Sequence, residues 1–148
     1  MATMFFVVTM ALYFAATVSF LIYLLWPSEV LAHISLGMTA TGFAPHTVAL
    51  GAGMNRATHI ASPGFHEALS ILPCMLILVF LAVEFRHHLH VLGSFIVPLA
   101  LLSLVSAAAL PEAAPTLTPV FGKLWVHVTL SMLGTVGVAV AFVAGVVE

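Results

Sequence analysis

"TMFFVVTMALYFAATVSFLIYLLW", residues 3–26, contains no charged side chain and ends on a tryptophan just before Pro27. A helix of about 20 apolar residues, rising about 1.5 Å per residue, is long enough to cross a bilayer's hydrocarbon. The run is too long for the apolar region of a secretory signal and no basic segment precedes it, so it reads as a retained span. One such run makes lipid a candidate solvent, and the rest of the chain is built in the same way.

Across all 148 residues, 63% are hydrophobic and 5% are charged, far below the charged quarter of a soluble domain. Four further segments pass the same length test, at roughly 29–53, 65–86, 89–110 and 124–147. Backbone groups in lipid must be satisfied internally, and the strict alternation of a membrane β-strand is absent. The expected fold is therefore all-α, a polytopic bundle of about five transmembrane helices forming one integral membrane domain. The breaks agree: Trp26-Pro27-Ser28-Glu29, the polar stretch from Asn55 to Gly64, the Arg86-His87-His88 turn, and a loop marked by Pro111, Pro115 and Pro119.

Five crossings place the N-terminus and the loops near 54–64 and 111–123 on one face, called face A. The turns near 27–28 and 86–88 then lie on face B. Arg56 and Lys123 fall on A and Arg86 on B, too small a difference to orient the chain. These same three cations form no surface that could neutralise a phosphate backbone, which excludes nucleic acid. Cys74 has no second cysteine to pair with, so any haem must be held by coordination alone.

Histidine is the unusual feature, with eight residues against eight Lys, Arg, Asp and Glu together. His46 follows Pro45 in the second segment, about 10 Å inside face A, and His127 lies about 5 Å inside the same face in the fifth. Two imidazoles from antiparallel helices at similar depth suit the axial positions of one haem b, with both histidines as iron ligands. Gly42, Ala49 and Gly53 share the face of His46, while Ser131 and Gly134 share that of His127, leaving room for a macrocycle. Pro45 removes one backbone donor and leaves the Thr41 carbonyl to find another partner. Set against this, an intramembrane histidine can simply hydrogen-bond a carbonyl across a helix interface.

A second group gathers near face B, where His33 opens the second segment and His87, His88 and His90 lie around a turn. These could ligate a second haem or a metal, although residues in an interfacial turn are also comfortable in water. His33 and His46 are about 20 Å apart along an ideal helix but about 140° apart around it, so a straight helix would not aim both inward. At face A, His59, His66 and Glu67 could meet propionates, a substrate or a proton; Glu67 also suits a helix N-terminus. Glu84 and Arg86 read as a solvated interfacial pair. The chain has no Asp, no Ser-His-Asp arrangement, no phosphate loop and no His-Glu-x-x-His motif, so an enzyme is not expected.

The stretch "GFAPHTVALGAGMNRATHIASPGFHEALSIL", residues 42–72, resembles the second helix, loop and third-helix start of the HemX/CcsA-like cytochrome c assembly membrane proteins. The resemblance rests on His46 followed by small and aliphatic residues, then His59 with Pro63, then Phe65 and Glu67. "FIVPLALLSLVSAAALPE", from Phe95, and "LWVHVTLSMLGTVGVAVAFVAGVV", from Leu124, resemble that family's fourth and fifth helices. The resemblance implies a haem-handling protein of the prokaryotic inner membrane, with His46 and His127 on a b-type haem and a second membrane or periplasmic subunit as partner. Two other classes stand beside it. One is a mono- or di-haem b anchor of a quinone-linked electron-transfer complex; the other is a scaffold whose histidines only bridge helices.

Overall fold

The computed structural model describes residues 2–56, 65–109 and 122–147. These form five α-helices: α1 (Ala2–Leu25), α2 (Glu29–Arg56), α3 (Phe65–His87), α4 (His90–Ala109) and α5 (Gly122–Val147). Each lies within a few residues of the expected segment. The spans Met4–Leu25, Leu69–His87 and His90–Ala109 are long and apolar enough to cross a membrane. The described part of α2 does not reach the same apolarity, because Ser35, Thr39, Thr41, His46 and Thr47 interrupt it. In α5, the continuous apolar helix among the described residues is Leu133–Phe142.

The hydroxyls of α2 are accommodated locally. Ser35 donates to the Leu31 carbonyl at 2.8 Å, Thr39 to Ser35 at 2.8 Å and Thr41 to Gly37 at 2.8 Å, so each finds an acceptor inside its own helix. Ala32, Ser35, Thr39, Gly42 and His46 are buried and recur at intervals of three or four residues, which places them on one face. That face packs on α1, where Tyr13 lies against Gly42 and His46. Small side chains let the two backbones approach, as is usual between helices in lipid.

The centre of the bundle is α4. Leu92, Ile96, Val97, Ala100 and Leu104 are buried there, against Leu76, Ile77 and Phe80 of α3 and Phe20 of α1. Phe20 and Phe80 meet edge to face, with centroids 5.8 Å apart. Gly93 makes this approach possible, since a Cβ there would stand 2.4 Å from the Phe20 ring. One residue on, the Ser94 hydroxyl donates to the Phe20 carbonyl at 3.0 Å and ties α4 to α1. α5 lies on α3 and α4, with Val136 buried, and does not approach α1 or α2 among the described residues.

The turns at face B are short. Trp26 closes α1 through its N–H to the Ile22 carbonyl at 2.8 Å, and the Ser28 carbonyl accepts from Ala32 at 3.0 Å to start α2. α3 stops where His88 takes φ 54°, in the left-handed region, and its N–H returns to the Glu84 carbonyl at 2.8 Å. This is an αL helix cap with histidine in the position glycine usually fills.

Candidate functional site

His46 is the one histidine of the described residues that is fully buried, at 1% exposure, on the α2 face that meets α1. Its Nδ1 lies 3.2 Å from the Tyr13 hydroxyl, and the two rings stand edge to face with centroids 5.7 Å apart. The backbone of Ser70 on α3 also comes up to the imidazole. Nε2 is buried and makes no hydrogen bond of good geometry among the described residues. The imidazole is thus oriented by α1 and α3 and kept out of water, as neighbours do for a coordinating histidine.

The glycine expected to leave room beside His46 serves another purpose. A Cβ on Gly42 would lie 2.9 Å from the Tyr13 ring, so the space at Gly42 is taken up by Tyr13. Ala49, one turn further on, is half-buried. His127 is exposed on α5, as are Ser131 and Gly134, and nothing lies within 4 Å of a Cβ placed on Gly134. Because α5 stands off α2, the structure does not bring His46 and His127 together. His59 lies outside the described residues, as do the side chains of His66, Glu67 and Gly53.

The face B group does come together. His33 of α2 and His90 of α4 have ring centroids 6.1 Å apart, His88 lies 6.4 Å from His90, and the Tyr23 ring of α1 stands 6.1 Å from His90, edge on. His87 is exposed at the end of α3. Glu84 corrects the sequence reading. Instead of pairing in water with Arg86, which is exposed, it is 1% exposed and contacts His90 Nδ1 through Oε1. The reason is register: Glu84 lies on the buried face of α3 with Ile77, Phe80 and Leu81, while Arg86 lies off it.

The tautomer of one of these rings follows from its partner. Nδ1 of His33 is 2.6 Å from the Glu29 carbonyl oxygen, which can only accept, so the ring proton sits on Nδ1. Nδ1 of His90 contacts the Glu84 carboxylate without a hydrogen bond of good geometry, so the contact does not fix the tautomer of that ring. Among the described residues, no three His, Cys, Asp or Glu side chains gather as a metal-ion cluster.

Two residues of this arrangement, Tyr13 and Glu84, were not singled out as site residues in the sequence. Tyr13 could have been found from the buried period it shares with Thr9, Ala16 and Phe20. Comparison with family models, with curated proteins and with solved structures gave no match. The functional reading therefore rests on the chain's own residues.

Proposed function

We propose that this chain is a haem b-binding integral membrane protein that handles haem in cytochrome c assembly, in the prokaryotic inner membrane and alongside a partner subunit. The observation that carries the proposal is His46, buried within the bundle with Nδ1 at the Tyr13 hydroxyl and the Ser70 backbone at its ring. Ionisable side chains inside a bilayer are costly and mark functional sites, and a buried imidazole there is a candidate iron ligand. A bound haem would be the group handed on or would pass electrons; His46 would hold it, and the chain's part is to orient that imidazole and exclude water. His127 is the candidate for a second ligand from the sequence, although the structure does not bring it to His46. The test is a reduced-minus-oxidised spectrum of the purified chain: a b-type α band that His46→Ala removes supports the reading, and a band unaffected by that substitution overturns it.

A second reading, an electron-transferring haem b anchor of a quinone-linked complex, is favoured by one observation of its own. Two imidazoles from different helices, His33 and His90, stand close together at the end of the bundle opposite the loops of face A. Quinol-dependent reduction of the haem separates this reading from haem handling, in which absorbance is instead lost to a haem acceptor.

A further inference from the structure

We infer that Gly42 is a positioning residue for the His46 imidazole: its missing side chain seats the Tyr13 ring where the hydroxyl reaches Nδ1. The inference rests on the reading of His46 as a haem ligand. Gly42 lies one helical turn before His46, on the same buried face of α2. A Cβ there would stand 2.9 Å from both Cδ1 and Cε1 of Tyr13, and 3.1 Å from the Leu12 Cβ. Cε1 is bonded to the carbon that carries the hydroxyl, so the crowded edge of the ring is the edge that leads to His46.

Two distances decide what a side chain at Gly42 would do. Carbon atoms in good contact lie about 3.5–4.0 Å apart, so the ring would have to retreat by about 0.6 Å or more. The Tyr13 hydroxyl is 3.2 Å from Nδ1, already at the long end of the hydrogen-bonding range. A retreat of that size takes the hydroxyl out of reach. The imidazole is not free to follow, because the backbone of Ser70 on α3 also meets it. Tyr13 is fully buried in the core, which leaves its ring no open space, and the Leu12 contact means that α1 itself would be pushed.

The other glycines show that this is particular to Gly42. Gly37 and Gly51 of the same helix meet nothing within 4 Å. Gly93 of α4 does admit an aromatic ring, that of Phe20, but this ring carries no polar group. Gly93 thus serves packing alone, whereas Gly42 joins packing to the orientation of an imidazole.

The experiment uses the full chain purified in detergent and titrated with hemin. Nitrogen NMR spectra of isotope-labelled histidine side chains are recorded beside it on the haem-free protein, where His46→Gln identifies the His46 signals. Gly42→Ala should weaken hemin binding about 10–100-fold, as Tyr13→Phe does, the usual effect of losing a neighbour that orients a ligand. The two substitutions together should bind no more weakly than either alone, because both act through one hydroxyl. In the haem-free chain Gly42→Ala should move the His46 signals to where Tyr13→Phe puts them. Gly93→Ala should lower the melting temperature while hemin binding and the His46 signals stay as in the unaltered chain. Should Gly42→Ala fail to assemble, adding Tyr13→Val removes the ring that the new side chain meets and should restore folding.

Hemin binding as in the unaltered chain, with unmoved His46 signals, in Gly42→Ala overturns the inference. So does a loss that adds to that of Tyr13→Phe, a loss that Gly93→Ala reproduces, or a folding defect that Tyr13→Val leaves in place. If the unaltered chain binds no hemin, the reading of His46 as an iron ligand falls; the His46 signals of haem-free Gly42→Ala then decide by themselves whether Gly42 positions the imidazole.

Discussion

The hydroxyl of Tyr13 lies 3.2 Å from Nδ1 of His46, joining the first two helices through a hydrogen bond sealed inside the bundle. Tyr13→Phe keeps the ring that packs on Gly42 but leaves Nδ1 without its partner. The expected cost is about 1–3 kcal/mol, the penalty of a buried polar group left unpaired. Haem affinity at this site should fall by about 10–100-fold, the usual effect of losing a neighbour that orients a ligand. Thermal unfolding in detergent and haem titration measure the two effects separately.

His127→Ala asks whether His127 joins His46 as a ligand when haem binds. The proposal expects the haem to remain on His46 while its low-spin absorption is lost, leaving a five-coordinate, high-spin centre. Identical spectra before and after the substitution would remove His127 as a ligand and leave the helix packing on α3 and α4 as described.

Gly93→Ala tests the contact between α1 and α4. With a Cβ 2.4 Å from the Phe20 ring, something must shift, and overpacking of this kind costs about 1–3 kcal/mol. Gly37→Ala is the control, because nothing lies within 4 Å of its Cβ. It should be neutral, or stabilising by up to about 1 kcal/mol through helix propensity. Equal melting temperatures for the two variants would refute the close packing.

Glu84→Ala removes the buried carboxylate that contacts His90 and leaves a gap on the packed face of α3, at an expected cost of about 1–3 kcal/mol. Arg86→Ala, on an exposed residue of the same helix, should shift stability by no more than about 0.5 kcal/mol. The pair of melting curves would show no difference if Glu84 were solvated.

The helices were legible because apolar runs and their breakers are local features: Trp26-Pro27 and Arg86-His87-His88 mark turns wherever the rest of the chain goes. Which histidines face one another was not legible, because it depends on the rotation of each helix and on which helices are neighbours. Matched depth drew attention to His46 and His127, but depth says nothing about α5 lying against α3 and α4. His33 and His90 meet because α1 draws α2 and α4 to its two sides, a relation that spacing along the chain does not contain. Glu84 was misread for a similar reason. Proximity to Arg86 in the chain suggested a pair, whereas a helix sends neighbouring residues in different directions.

Phe20 settles against Gly93, and the serine that donates to its carbonyl is 74 residues further along the chain. During synthesis the first two helices emerge as a hairpin whose own mutual face is ready, while the flank bearing Phe20 must wait for the fourth. The order of packing is therefore not the order of synthesis: the first helix is completed only by the fourth.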